Sequence, residues 1–492
     1  MNIAIIGCGA DGINTLKTII EHPNFNEDVN IYIFEPKEEL GVGIAYEDDS
    51  LYKLLNVDEK YMSLDPEDPD ELISYLKENN IEKRIEGMLP RSIYGEYIKD
   101  KYKKYLDHKQ VEIIHKEVID INKSNKSDKG YKVSTEKGDI DKTFDVIFLA
   151  IGQSYYTDYY DLEGKKNYIH DPYPLVDKLK PGSSNNITND SIIGVIGNGP
   201  TGVDIYRYLR KEYDLENPIY FFSKSSGFYP GEIPYDFKKD MCTIDDKWID
   251  ENIDKYGFID LDIILDTINN DFDKYNVNHL EDIYEKYKDT DISTYKKSLE
   301  ENDTDLGFAQ NYLLVLAVYH ARLYNCLSGL DRIKYDEKYL DIIEFVISKN
   351  PTETMEKLIK DYEKGSIKVI RNIEDIEVSK DDKFVVSSED CEDISTDILI
   401  NATGFEKNLI KATKKDKLIS NLYDHGFIEP DVGDNFVRVT YPSYNLINKK
   451  YGLMDDIYLG GMWTGSTDIL NNDLRSIVRS SSQRANDFMD KL

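Results

Sequence analysis

One supersecondary unit occurs twice in this chain and limits its fold more than any other feature. In the first copy, the apolar run Asn2–Ile6 leads into a turn at residues 7–12 (Gly-Cys-Gly-Ala-Asp-Gly), a helical pattern and a second apolar strand that ends at Glu35. Strand, glycine turn, helix, strand and acid in this order are typical of a dinucleotide-binding unit. The first glycine permits the tight turn, the second lets a pyrophosphate approach the backbone, and the third lets helix and strand pack closely.

The second copy repeats this series further along the chain. An apolar strand at residues 191–196 leads into a turn at residues 197–202 (Gly-Asn-Gly-Pro-Thr-Gly), a helical segment and a strand at residues 218–222. Both copies also close alike, since one strand runs into Ala150 to Gly152 and another into Asn401 to Gly404. Two such units predict two bound dinucleotides, or one dinucleotide and a flavin.

The second strands of the two copies end differently, and this separates their ligands. In the first copy this strand ends at Glu35, whose carboxylate suits the ribose hydroxyls of FAD and would repel a 2′-phosphate. In the second copy the corresponding strand ends at Ser223, Lys224 and Ser225. Their hydroxyl groups and cation favour NADPH over NADH. An ordinary polar turn is the alternative interpretation of this second stretch.

The charge of the chain excludes some partners. The 61 basic and 94 acidic residues give a formal net charge of −33. Such a charge opposes binding to nucleic acid and to anionic membrane surfaces, because both need patches of Lys and Arg. The negative net charge does not oppose a small anionic ligand, because backbone N–H groups at a helix N-terminus can bind such an anion.

The four cysteines form no CxxC pair, so a disulfide framework, a zinc site and a dithiol redox motif all lack their sequence signature. The longest apolar run, at residues 313–319, is too short to span a bilayer. The N-terminus begins directly with a strand pattern and lacks the features of a signal peptide. We therefore expect a cytoplasmic protein.

A long helical stretch, at about residues 244–362, interrupts the second unit before its closing strand. Its periodic segments lie at residues 259–268, 280–287, 308–327 and 352–362. The third of these is apolar nearly all round, as expected of a buried helix. The insert is a natural candidate for a cap on the substrate side, although nothing in it indicates a substrate.

Several motifs resemble a family of FAD/NAD(P)-binding oxidoreductases related to the flavin-containing and N-hydroxylating monooxygenases. Residues 41–46 (Gly-Val-Gly-Ile-Ala-Tyr), 54–57 (Leu-Leu-Asn-Val) with Met62, and 65–76 follow a family series, and residues 89–97 resemble its P-R-x-x-[FY]-G-x-Y signature. Residues 197–204 resemble its GxGxTGxD turn. The family usually has Ser-Arg-Arg-Gly where this chain has Ser223 and Lys224, which leaves the preference between NADPH and NADH looser.

The resemblance implies roles for individual residues. Gly41 and Gly43 would let a loop press against the flavin-proximal groups, and Asn56 would hydrogen-bond the flavin, which makes it the catalytic candidate. Asn56 as a turn residue and Arg91 as a surface cation are the alternatives. A helix from about residue 472 would direct its N-terminus at the flavin. The residues predicted to contact a cofactor are Gly7, Gly9, Ala10, Asp11, Gly12, Glu35, Gly41, Gly43, Asn56, Met62, Arg91, Tyr97, Ala150, Gly152, Gly197, Gly199, Pro200, Thr201, Gly202, Ser223, Lys224, Ser225, Gly404 and Gly461, and no metal ligand is predicted.

These observations predict an α/β fold with two Rossmann-like dinucleotide-binding domains, one for FAD and one for NAD(P)H. The FAD domain is expected at residues 1–185 and 405–492, with the NAD(P)H domain and its helical insert between them at 186–404. The resemblance implies an NADPH-oxidising monooxygenase that hydroxylates a small polar amine or amino acid with dioxygen through a flavin hydroperoxide. A reductase or oxidase with another acceptor and a non-catalytic flavin-binding interaction protein are the alternatives. The sequence is compatible with a homo-oligomer.

Overall fold

Short apolar runs of the sequence form the central strands of two parallel sheets. The computed structural model describes residues 1–65, 68–124, 130–224, 227–290, 292–471 and 473–492. Its strands are β1 Asn2–Ile6, β2 Asn30–Phe34, β3 Val111–Ile114, β4 Val118–Lys123, β5 Tyr131–Thr135, β6 Gly138–Asp139, β7 Val146–Leu149, β8 Tyr168–Ile169, β9 Ile193–Ile196, β10 Ile219–Phe222, β11 Ile367–Ile370, β12 Ile373–Val378, β13 Phe384–Ser388, β14 Cys391–Thr396, β15 Ile398–Asn401, β16 Asn445–Asn448 and β17 Gly452–Leu459.

Helices pack against both sheets and also form one insert. The α-helices are α1 Ala10–Glu21, α2 Gly43–Tyr46, α3 Glu71–Glu78, α4 Arg91–Leu106, α5 Leu175–Lys178, α6 Pro200–Glu212, α7 Asp246–Asn252, α8 Leu261–Lys274, α9 Leu280–Tyr287, α10 Ile292–Glu300, α11 Thr304–Asn325, α12 Gly329–Lys338, α13 Leu340–Ile347, α14 Thr352–Glu363, α15 Leu409–Ala412, α16 Lys417–His425 and α17 Leu474–Met489.

The two sheets have the same core arrangement. The first has the order β16-β17-β7-β1-β2-β3, and the second has the order β11-β10-β9-β15-β8. Ile3 of β1 pairs in parallel with Ile31 and Val146, and Ile193 of β9 pairs in parallel with Ile219 and Ile398. In each sheet the glycine turn therefore follows the carboxyl end of a central strand, which is where ligands bind in such sheets.

The first sheet is completed by the C-terminal part of the chain. Strand β17 pairs in parallel with β7, and helix α17 packs along α1, where Asn14 donates from its side chain to Ser481 at 2.7 Å. The second sheet thus lies within the chain of the first, as the predicted fold class requires. The boundary at residue 185 stays a prediction, and β8, which precedes it, pairs with β15 of the second sheet.

Each unit also carries an antiparallel meander that the sequence analysis did not predict. Strands β4, β5 and β6 lie between β3 and β7, and β12, β13 and β14 lie between β11 and β15. In the region of the predicted helical insert the described residues form helices α7 to α14, with α11 buried among them. Within the described segments, no helix combines the length and the apolar composition needed to cross a membrane.

Candidate functional site

The first glycine turn is shaped by contacts between backbone atoms. Gly7 has φ +96°, and a Cβ atom built on it would overlap the carbonyl oxygen of Ala150. A Cβ on Gly12 would in turn overlap the carbonyl oxygen of Gly7. Both glycines therefore have the packing roles that the sequence predicted, one in the tight turn and one where helix meets strand.

Gly9 differs because its surroundings are open. It caps the N-terminus of α1 without any side-chain cap, and the nearest protein atom to a Cβ built on it would be Gly43 Cα at 3.6 Å. The first N–H groups of α1, at Ala10, Asp11 and Gly12, have no partner within the helix. A helix N-terminus with free N–H groups and an accessible glycine is suited to a phosphate anion.

The second turn repeats this geometry. Gly197 has φ +102°, and Cβ atoms on Gly197 and Gly202 would overlap the carbonyl oxygens of Ala402 and Gly197. Gly199 caps α6 without a side-chain cap, and Pro200 occupies the first helical position, ahead of Thr201. The structure therefore has two equivalent helix N-termini without side-chain caps, one on each sheet.

The ends of the second strands are held by local contacts. Glu35 accepts hydrogen bonds from the backbone N–H groups of Cys8 at 2.9 Å and Lys37 at 3.1 Å, so its carboxylate lies beside the first turn. In the second unit, Ser223 follows β10 and the exposed Lys224 places its ammonium group 4.9 Å from the ring centre of Tyr159. The predicted contact of Ser225 lies outside the described residues.

The loop that contains Gly41 and Gly43 packs against the first turn. Gly41 and Gly43 have φ angles of +85° and +56°, and the Gly41 N–H donates to the Cys8 carbonyl at 2.7 Å. Burial raises the pKa of the Cys8 thiol to about 12, so this cysteine is a protonated packing residue. A Cβ built on Gly43 would lie 3.4 Å from Gly9 Cα, an ordinary contact distance, so the loop touches the turn without overlapping it.

The closing loops of the first unit and of the C-terminal segment lie side by side. Gly152 and Gly461 have φ angles of +65° and +77°, and a Cβ on Gly461 would lie 3.0 Å from the Gly152 oxygen. Helix α17 begins beyond this point, with Asp473 at its N-cap and no side-chain cap. In the second unit, Gly404 has φ +90° and accepts from Thr157 N–H at 3.0 Å.

Asn56 and Arg91, which lie in separate sequence motifs, contact each other. Arg91 Nη2 donates to Asn56 Oδ1 at 2.9 Å, while Arg91 Nε donates to the Leu54 carbonyl at 2.7 Å. Arg91 also pairs with Asp204, at 3.4 Å, in the first turns of α6. The structure thus joins a residue predicted to be catalytic to the second dinucleotide unit. Asn56 itself is exposed and can contact a ligand.

Two other predicted cofactor residues lie in the core. Met62 is 5% exposed, and its carbonyl accepts from the Tyr94 hydroxyl at 2.7 Å. Tyr97 is fully buried, and its hydroxyl donates to Glu71. The structure does not place the Tyr97 side chain among the glycine turns, and its contact with a cofactor stays a prediction.

A buried ion pair that was not predicted from the sequence lies behind the first turn. Arg484 of α17 donates to the Asp11 carboxylate, and the two side chains are 2% and 10% exposed. Asp11, predicted as a cofactor residue, therefore holds α1 to α17 through its side chain. No local signal indicates the pair, because its members are 473 residues apart in the chain.

A cavity of about 1060 Å³ lies beside this region, between α1, α11, α17 and the segment that follows Asn56. It is not lined by the glycines of either turn; its walls include Tyr61, Asp473 and Arg475 near the start of α17, and Leu314 and Val318 of α11. The described residues contain no group of three or more His, Cys, Asp or Glu side chains that could hold a metal ion.

Comparison with known proteins agrees with this geometry. Residues 4–154 match the sequence model of a family described as FAD-NAD(P)-binding. The ornithine N-hydroxylase of Kutzneria sp. 744 superimposes with a TM-score of 0.59 at 13% identity, over 99% of this chain and 98% of that one. The L-lysine 6-monooxygenase of Pseudomonas syringae gives a TM-score of 0.59 at 12% identity, over 99% of both chains.

The chain has the fold of a two-domain flavoprotein. The predicted fold class and the resemblance to N-hydroxylating monooxygenases and related oxidoreductases are thereby confirmed. A curated relative, the uncharacterised protein YdhS of Escherichia coli (strain K12), is 23% identical over 217 residues, which are 41% of this chain. The matched region spans only 38% of YdhS, so that relative extends well beyond the part that is compared.

Proposed function

We propose that the protein is an FAD-dependent, NADPH-oxidising monooxygenase that hydroxylates the amino group of a small polar amine or amino acid. The observation that carries this proposal is the pair of uncapped helix N-termini at Gly9 and Gly199, within a fold that spans 99% of this chain and 98% of an ornithine N-hydroxylase. One helix end would hold the FAD pyrophosphate and the other that of NADPH.

When bound, FAD accepts a hydride from NADPH and passes electrons to dioxygen. The chain positions the two dinucleotides and shields the site from water. A dithiol/disulfide pair as the alternative electron acceptor is not favoured, because Cys8, Cys242, Cys326 and Cys391 are all free and none is paired with another in the described structure. We infer that the cavity beside α11 and α17 admits the substrate, which gives the helical insert its role as a cap.

The proposal is tested by a screen of amines and amino acids that follows NADPH oxidation and hydrogen peroxide release together. A true substrate should accelerate NADPH oxidation while lowering the peroxide formed per NADPH, and one oxygen atom should enter the product. If flavin reduction is rapid but no oxygen enters any product, the protein is a reductase or oxidase. If NADPH does not reduce the flavin under anaerobic conditions, it is a flavin-binding interaction protein.

An Asn56→Ala variant is expected to release more hydrogen peroxide per NADPH than the wild type. Asn56 is exposed, and Arg91 holds its amide oxygen, so its amide N–H groups can donate to a bound flavin. Asn185→Ala, which removes an amide that donates to Lys178 elsewhere, is the matched control. Equal peroxide yields for wild type and Asn56→Ala would exclude this role.

A Lys224→Ala variant is expected to lose affinity for NADPH but not for NADH. The ammonium group would pair with the 2′-phosphate, and its loss should weaken NADPH binding by about tenfold, as for one charge-assisted hydrogen bond. Lys166→Ala, which breaks an exposed pair with Asp382, serves as the control. The test measures the dissociation constants of NADPH and NADH for each variant. Equal losses of affinity for the two coenzymes would show that Lys224 does not contact the 2′-phosphate.

A further inference from the structure

Arg91 permits only one orientation of the Asn56 side-chain amide. A guanidinium group has donors and no acceptor, so the group facing Arg91 Nη2 must be the amide oxygen. A flipped amide would set N–H against N–H at the same 2.9 Å separation. Arg91 therefore directs the two N–H bonds of Asn56 away from itself.

The orientation of Arg91 is fixed from two sides, by the Leu54 carbonyl, which accepts from Nε at 2.7 Å, and by the second dinucleotide unit. Its Nη2 lies 3.4 Å from Asp204 Oδ2, and the Asp204 side chain is 1% exposed. Burial disfavours the charged form of Arg91. The nearby charge of Asp204, the strongest of the opposing effects, nevertheless raises the pKa of Arg91 above its ordinary value, so the guanidinium stays charged. Arg91 thus bridges a carboxylate in one domain and an amide in the other.

Asp204 is itself fixed from two sides. The Tyr173 hydroxyl donates to Oδ2 at 2.8 Å, and Arg207 Nη1 donates to Oδ1 at 3.2 Å. Burial, reinforced by Asp204, raises the pKa of Tyr173 well above its ordinary value, which keeps this hydroxyl a donor. Arg207 also donates to Glu86 at 2.8 Å, which ties α6 to the segment that precedes α4.

We propose that Asp204 is a positioning residue that acts through Arg91 to orient the Asn56 amide at the flavin side. The inference rests on the proposed function, because it takes the FAD site to lie beside Asn56. It gives the aspartate of the GxGxTGxD turn a task outside its own unit, because the contact with Asp204 completes the hold on Arg91 that orients the flavin-side amide.

The test uses the FAD-loaded protein and the isosteric variant Asp204→Asn. We expect Asp204→Asn to shift the visible absorption spectrum of the oxidised flavin, and its reduction midpoint, in the same direction as Asn56→Ala. We also expect peroxide per NADPH to rise to the level of Asn56→Ala, with no further rise in the double variant. Asp361→Asn is the matched control, because Asp361 also accepts from a Tyr and an Arg of α6 but contacts neither Arg91 nor Asn56 in the described residues.

The spectral readout needs no turnover, so it separates this inference from the proposed reaction. A wild-type spectrum in Asp204→Asn, while Asn56→Ala is shifted, would overturn it. Shifts that add in the double variant would also overturn it, because the two residues would then act independently. An Asn56→Ala spectrum equal to that of the wild type would overturn it as well, since Asn56 would not sense the flavin.

Discussion

A Gly9→Val variant is expected to fold but to carry no FAD. Among the described residues, the atom nearest to a Cβ at Gly9 would be Gly43 Cα at 3.6 Å, and the backbone of Gly9 has φ −82°, which valine adopts readily. The valine side chain would instead occupy the approach to the free N–H groups of α1. Losing charge-assisted hydrogen bonds of about 1.5–3 kcal/mol each should weaken FAD binding by roughly 100-fold or more.

The measurement is a titration of the FAD-free protein with FAD, together with circular dichroism to verify folding. Gly329→Val is the control, because Gly329 is the exposed first residue of α12 and a Cβ there meets nothing within 4 Å. Gly7→Val and Gly12→Val are unsuitable, since their side chains would overlap backbone carbonyls and disturb folding. A folded Gly9→Val protein with full flavin content would refute the assignment of this turn.

An Arg484→Met variant is expected to lose about 3 kcal/mol of unfolding free energy. It leaves the Asp11 carboxylate buried without its cation, and breaking such a pair costs about 3–5 kcal/mol. The lower end of this range applies because Asp11 lies in the first turn of α1, where the helix dipole favours a negative charge. Urea unfolding of wild type and variant measures the difference.

The double variant Asp11→Asn/Arg484→Met should recover most of the loss, because no charge is then left unpaired. Arg322→Met is the surface control: Arg322 pairs with the exposed Asp246 and Asp250, so its removal should cost less than about 1 kcal/mol. If Arg484→Met unfolds like the wild type to within about 0.5 kcal/mol, the pair does not hold α1 to α17.

Local pattern was enough to predict the two units and the geometry of their turns. Apolar runs, glycine spacing and a terminal acid are short-range signals, and the structure reproduces them with Gly7 and Gly197 at positive φ against equivalent carbonyls. The helical insert was predicted for the same reason, since a 3.6-residue period is visible within one segment. The short meanders were missed, because strands such as β6 with only two residues leave almost no periodic signal.

The placement of single side chains depended on the tertiary structure. Asp11 was grouped with the cofactor residues because of its position in the turn, yet it pairs with Arg484. Tyr97 belongs to a predicted binding signature, yet it is buried with its hydroxyl on Glu71. In both cases the partner lies on another helix, and only the packing between helices brings the two side chains together.

The sequence by itself determined two dinucleotide-binding units, their order and the glycines that shape them, because each is encoded in fewer than about 40 consecutive residues of strand, turn and helix. Only the tertiary structure joined Asn56, Arg91 and Asp204, which lie in three separate motifs and in two domains. Their contact arises where the start of α4, which carries Arg91, meets α6, which carries Asp204. The energy of that contact is electrostatic, and it depends on distances and burial that no local pattern records.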